Sequence, residues 1–187
     1  MGRTVWVDTG MVEVARGKVL LKSTPLGSCI AIMGYSRETQ QGGMAHIMLP
    51  GRAPTNVHPK TKYAADAIDV LLERLSNPYG YAGLRIFLVG AGNVLMRSRD
   101  TICQDNISSV TDYLNRFGLL VRGFALGGIQ RRVAHLDVET GHVSYTEGNL
   151  PLRTLYHSCR QHSVENFSHL QPGSEDYDIT TDEFVVR

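Results

Sequence analysis

The side chains most able to do chemistry sit in two short runs, Leu26-Gly27-Ser28-Cys29 and Gly42-Gly43-Met44-Ala45-His46, whose histidine lies seventeen residues on from the cysteine. A thiol is a modest nucleophile until it ionises, and a nearby imidazole both takes its proton and carries it onward. Cysteine and histidine behind glycine-containing turns, each at the edge of an apolar run, are two reactive groups aimed at one point, and the chemistry they suggest is acyl transfer. Taken singly, each has a plainer explanation: a small buried cysteine and a hydrogen-bonded core histidine. Their joint placement is what argues for a pair. Ser23 and Thr24, just upstream of the cysteine, are ordinary strand hydroxyls or a third group that orients His46 or donates to a developing oxyanion. Gly27-Ser28-Cys29 also supplies consecutive backbone N–H groups, which form an oxyanion hole if they converge.

The elements that must position this pair are legible from periodicity and punctuation. Cys29 to Tyr35 is an apolar run that reads as a buried strand beginning at the cysteine, with Ala45 to Leu49 as its antiparallel neighbour. The polar Ser36–Gly43 stretch between them, ending in Gly-Gly, reads as the hairpin connection that returns His46 to the end of the sheet where Cys29 sits. Thr4 to Val14 is short and mixed, and Lys18 to Thr24 reads as a strand broken by Pro25. Gly51 to Lys62 reads as an exposed loop, and Tyr63 to Leu75 as an amphipathic helix ended by Asn77-Pro78. Strands follow over Leu84–Val89 and Leu119–Phe124, flanking a helix over Ile107–Phe117 closed by Gly118. His135–Val138 and His142–Tyr145 form a last hairpin, and after Gly148 the pattern dissolves into a chain whose end, Gln171–Arg187, is acidic. These elements predict an α/β (α+β) fold, a mixed-sheet layered sandwich with helices packed on the sheet. One domain over residues 1–148 and a C-terminal extension over 149–187, partly disordered and acidic, are the expected division.

Composition narrows the partners. Nineteen basic and eighteen acidic residues leave a net charge of +1, which gives no electrostatic case for nucleic acid or an anionic membrane. No apolar stretch approaches the roughly 20 residues needed to cross a bilayer. Cys29, Cys103 and Cys159 lie far apart without CxxC spacing, which favours a reducing, cytoplasmic setting over a disulfide framework.

Three further motifs have weaker readings. Gly90-Ala91-Gly92-Asn93 follows a strand but has Leu95 where a dinucleotide fingerprint needs its third glycine. Gly127-Gly128 ahead of Arg131-Arg132 would receive an anion or form a solvated basic turn. His157, Cys159, His162 and His169 match no zinc spacing and read as a histidine-rich segment, so no metal is expected.

The LGSC run, the GGMAHIMLP run, Lys62-Tyr63-Ala64 with Asp66-Ala67-Ile68, Gly90-Ala91-Gly92-Asn93, the helix carrying Asn106, and Gly127-Gly128 with Arg132 through Thr140-Gly141 together resemble the bacterial chemoreceptor glutamine deamidases, the CheD family. The resemblance covers roughly residues 4 to 147, in the family's order. It implies a layered fold of the cysteine-hydrolase type and a cytoplasmic enzyme that converts glutamine side chains on methyl-accepting chemotaxis receptors to glutamate without metal or organic cofactor. It also implies a catalytic set of Cys29, His46 and a threonine, for which Thr24 is the match and Ser23 the neighbouring alternative. Pairing with a CheC-type phosphatase is a further implied partnership. Two readings of other kinds stay open beside it: a regulatory module that binds receptors or such a phosphatase without turnover, and hydrolysis of receptor methyl esters by the same acyl chemistry.

Overall fold

The computed structural model describes residues 2–78, 80–98 and 101–157, together with the backbone of 178–179. Among these residues the chain forms three layers: two α-helices, a six-stranded mixed sheet, and a five-stranded mixed sheet. In chain order the elements are β1 (Arg3–Val7), β2 (Val12–Arg16), β3 (Val19–Ser23), β4 (Ile30–Ser36), β5 (Gln41–Ile47), α1 (Ala64–Leu75), β6 (Leu84–Gly90), α2 (Ile102–Arg116), β7 (Val121–Gly127), β8 (Arg132–Asp137), β9 (His142–Glu147), β10 (Arg153–Tyr156) and β11 (Asp178–Ile179). The outer sheet runs β1-β3-β8-β9-β10 and the middle sheet β11-β7-β6-β4-β5-β2.

β4 explains the layering. All seven of its residues are buried, the signature of a strand covered on both faces rather than alternating in and out. Ile30 and Ile32 pack toward the helices, against Ile68, Leu71 and Leu72 of α1, whereas Ala31, Met33 and Tyr35 pack toward the outer sheet, against Leu21, Leu136 and Val143. Complete burial of a side chain such as Ile30, Ile32 or Met33 is worth about 1.5–3 kcal/mol, so the strand that ends next to Cys29 is among the most firmly held parts of the molecule.

The expected hairpin between β4 and β5 is present, with Ile30 paired to Ile47 and Ser36 to Gln41, but its glycines are not in the turn. Gly42 and Gly43 lie inside β5, and the left-handed residue of the turn is Gln40, at φ 49°. The two glycines thin the middle layer. A Cβ on Gly43 would stand 2.7 Å from Leu71 Cδ1, and one on Gly42 would stand 3.0 Å from Leu136 and Val138. The Gly-Gly pair is therefore a packing requirement, set where α1 and the outer sheet press on the strand from opposite sides.

Other boundaries moved for similar reasons. Thr4 to Val14 contains two strands, β1 and β2, that belong to different sheets, so neither shows the regular pattern of one longer strand. α2 starts at Ile102, five residues before the apolar periodicity becomes regular, in a first turn where the Thr101 hydroxyl donates to Asp105. Its buried stripe is Cys103, Asn106, Val110 and Leu114, and the polar Asn106 interrupts the expected pattern. β10 lies beyond Gly148 and pairs with β9. The expected acidic tail over Gln171–Arg187 falls outside the described residues except for β11, whose backbone pairs with the end of β7.

Candidate active site

Cys29 is the residue before β4, and its loop is held by its carbonyls. The Leu26 carbonyl accepts the Arg132 N–H at 3.0 Å, Gly27 that of Gly92 at 2.8 Å, and Cys29 that of Ala91 at 2.7 Å. The Ser28 carbonyl accepts from the Asn106 side chain at 2.9 Å. Gly90-Ala91-Gly92-Asn93 is thus a cradle for the cysteine loop, not a dinucleotide turn. Gly90 has φ 127°, and a Cβ there would fall 2.2 Å from the Cys29 carbonyl oxygen. The thiol is partly covered, and burial pushes its pKa above the ordinary value, an effect partly offset by its own backbone N–H.

His46 is almost fully buried near the end of β5, opposite Ala31. Cys29 lies two residues before Ala31 and packs toward the same outer-sheet core, as Met44 does, so thiol and imidazole project into the space between the two sheets at the same end. They are diagonal neighbours across the ladder, a relation that puts Cβ atoms roughly 7 Å apart. Among the described residues no hydrogen bond joins them, and a separation of that order admits a water or a carboxamide between thiol and imidazole.

The ring of His46 is instead oriented by β1, β3 and the turn after β1. Nδ1 lies 3.2 Å from the Val7 carbonyl and 3.3 Å from the Thr24 hydroxyl, and Nε2 lies 3.4 Å from the Thr9 hydroxyl. A carbonyl only accepts, so Nδ1 carries the hydrogen and Nε2 is the bare, basic nitrogen, to which Thr9 donates. Burial pulls the imidazole below its ordinary pKa, opposed by the Val7 bond and by the charge of Asp8. Thr24 is the hydroxyl brought to the histidine. Ser23, fully buried, accepts the Ala134 N–H at 2.9 Å and points into the outer-sheet core.

The sequence gives no signal for Thr9 or the Val7 carbonyl, and it marks Asn106 only as part of the family pattern, without a role at the site. Asp8-Thr9-Gly10 looks like any turn tripeptide, and a backbone carbonyl carries no sequence signal. The available clue was Asn106 itself, a polar residue on the buried stripe of α2. Of the weaker motifs, Arg132 is fully buried and pairs with Glu147, which is incompatible with a solvated anion-binding turn. His157 packs edge-on against His142, and Cys159, His162 and His169 lie outside the described residues.

The family model described as CheD chemotactic sensory transduction matches residues 48–147, just over half of the chain. The chain belongs to the CheD family. Similar proteins carry the name "Probable chemoreceptor glutamine deamidase CheD". One from Chlorobium luteolum is 39% identical over 160 residues, covering 84% of this chain and 79% of its own. One from Methanococcus vannielii is 33% identical, covering 67% and 84%, and one from Archaeoglobus fulgidus is 30% identical, covering 79% and 97%. The CheD model match opens at Met48, two residues after His46, so Thr24, Cys29 and His46 lie before the matched span. No helix among the described residues of this CheD chain is long and apolar enough to cross a membrane.

Proposed function

We propose that this chain hydrolyses the side-chain amide of glutamine residues on methyl-accepting chemotaxis receptors, in the cytoplasm, with Cys29 as nucleophile and His46 as base. The observation that carries the reading is the placement of Cys29 and His46 on one face at the same end of β4 and β5, with the bare Nε2 held by a tautomer-defining contact to the Val7 carbonyl.

In this mechanism Nε2 takes the thiol proton, directly or through one water, and the sulfur attacks the carboxamide carbon. The oxyanion that forms is received by backbone N–H groups of the Gly27-Ser28-Cys29 loop. The imidazolium, steadied through Nδ1 by Val7 and Thr24, gives its proton to the departing ammonia. Nε2 then activates a water that hydrolyses the thioester to glutamate. Thr9 must release Nε2 before the first step. Every step uses groups of the chain, and no cofactor takes part.

The receptor helix is proposed to dock near residues 51–62. The Lys62 carbonyl in that loop accepts the N–H groups of Met48 and Leu49, both at 2.9 Å, and the Thr61 hydroxyl donates to the Gly10 carbonyl. Gly10 in turn donates to the His46 carbonyl at 2.8 Å. This continuity between loop and histidine supports the docking site. Pairing with a CheC-type phosphatase belongs to the same reading.

Mass spectrometry of a chemoreceptor cytoplasmic fragment tests it. Wild-type protein should add about one dalton at a helical glutamine as amide becomes acid, and Cys29→Ala and His46→Ala should not. Loss of about fourteen daltons would mean methyl-ester hydrolysis instead, and retained binding with no mass change would mean a regulatory module. Full activity in Cys29→Ala would end the nucleophile assignment.

A further inference from the structure

Asn106 has the features of a residue kept for chemistry rather than packing. It lies on the buried stripe of α2, fully buried between Cys103 and Val110. Its two amide hydrogens are both used: Nδ2 lies 2.9 Å from the Ser28 carbonyl and 3.1 Å from the Met48 carbonyl. Those carbonyls belong to the residue before Cys29 and the second residue after His46. The β4–β5 ladder ends at Ile30 and Ile47, so the carboxamide acts as an extra rung just past its open end. Its Oδ1 is buried without a partner among the described residues, a burden an apolar side chain at the same place would not carry.

The consequence lies in peptide geometry. The Ser28–Cys29 bond is trans, so the Cys29 N–H points opposite to the Ser28 carbonyl, and whatever anchors the oxygen aims the hydrogen. The peptide planes before and after it are anchored by backbone donors: Arg132 on Leu26, Gly92 on Gly27 and Ala91 on Cys29. Only the Ser28–Cys29 plane is anchored by a side chain. Among the described residues none of the Gly27, Ser28 and Cys29 N–H groups donates to a backbone carbonyl, and that of Cys29 lies close enough to its own thiol to lower the pKa.

We propose that Asn106 is a positioning residue: by holding the Ser28 carbonyl away from the site, it aims the Cys29 N–H at the developing anion while fixing the spacing between the nucleophile's loop and the end of the histidine's strand. The proposal rests on Cys29 being the nucleophile. The Cys29 N–H also lowers the thiol pKa, so Asn106 acts on thiolate and oxyanion through the same peptide.

The test compares Asn106→Ala and Asn106→Asp with Val110→Ala, a variant one turn further along the same stripe that leaves the Ser28 and Met48 carbonyls untouched. The readouts are kcat and KM on a chemoreceptor fragment, and the pH midpoint of Cys29 alkylation by iodoacetamide, followed on the Cys29 peptide. Both Asn106 variants should lose about tenfold to hundredfold in kcat with KM unchanged, approaching the effect of removing one oxyanion donor. Their alkylation midpoint should move up. For Asn106→Asp the ratio of variant to wild-type kcat should rise as pH falls, because a protonated carboxyl regains one donor for the Ser28 carbonyl. Val110→Ala should melt earlier yet keep kcat and the midpoint. Folded Asn106 variants with wild-type kcat and midpoint would overturn the proposal. Asn106→Asp, being the same size, decides the matter if Asn106→Ala does not fold. The alkylation needs no substrate and so separates the two readings. An active Cys29→Ala defeats the nucleophile assignment, whereas an inactive Cys29→Ala beside an unshifted Asn106 midpoint defeats this inference alone.

Discussion

Substituting Gly90 by alanine gives the sharpest test of the coupling between the scaffold and the cysteine. Gly90 ends β6 at φ 127°, a conformation L side chains rarely adopt, and its Cβ would lie 2.2 Å from the Cys29 carbonyl oxygen. That neighbour is backbone, so it cannot rotate away. Normal contact requires the cysteine peptide or the end of β6 to retreat by about 1 Å, which parts the 2.7 Å bond from the Ala91 N–H to the same oxygen. Backbone strain of roughly 1–3 kcal/mol and an overpacking cost of similar size put the loss of stability near 2–6 kcal/mol. For a chain of this length each kcal/mol lowers Tm by about 2–4 °C, so melting should fall by about 4–24 °C. Displacing a nucleophile by about 1 Å costs on the order of a hundredfold in rate, so kcat of the folded fraction should fall by that much.

Gly17→Ala is the matched control. Gly17 also has positive φ, at 71°, but nothing lies within 4 Å of its Cβ position. It should lose about 1 kcal/mol and no activity. Thermal melts and deamidation rates, the latter measured well below each variant's Tm, separate the two. Gly90→Ala with the control's small melting shift and a wild-type kcat would refute the claim that β6 positions Cys29.

Two more predictions follow from the hydroxyls and the buried histidines. Thr24→Val should leave melting unchanged and lower kcat by about tenfold or less, because Nδ1 keeps Val7 as its main acceptor, whereas Ser23→Ala should orphan the Ala134 N–H, cost about 1–3 kcal/mol of stability and spare the rate. The opposite pattern in melts and kinetics would exchange their roles. His135, with Lys22 beside it, is held neutral by burial with a pKa of about 4 against 6.5 when free. The unfolded chain therefore binds a proton the folded one refuses, and stability should fall as pH drops from 6.5 toward 4, by at most about 3 kcal/mol. Urea titrations of wild type and His135→Gln across that range should show a flatter pH dependence for the variant, and parallel curves would refute the assignment.

How much was legible depended on where the physical cause lay. The strands carrying Cys29 and His46, and helix α1, announce themselves because their burial is local and periodic. Gly42 and Gly43 have the sequence signature of a turn, but their cause is tertiary: side chains from two other layers press on them, and no neighbour in sequence signals that. The same holds for the site. Cys29, His46 and Thr24 stand out by type, whereas Val7 and Thr9 reach His46 only because β1 and its turn fold back over β5, and Asn106 reaches Ser28 from across the sheet.

Burial of both faces of β4 and β5 gives the site rigidity and also sets its electrostatics. A low-dielectric setting disfavours separated charge, which is why the imidazole is pulled down and the thiol pushed up, leaving both neutral near pH 7. A resting thiolate–imidazolium pair, the usual source of cysteine reactivity, is therefore not what this geometry stabilises. On the proposed mechanism the anion exists only once a carboxamide has entered between the two groups, and its stabilisation falls to the N–H groups of the cysteine loop. Orientation of that loop by Gly92, Ala91 and Asn106 then bears directly on the rate. A slow-alkylating Cys29 in an active enzyme is the behaviour this arrangement predicts, because the same burial that guards the thiol at rest strengthens every donor aimed at it during reaction.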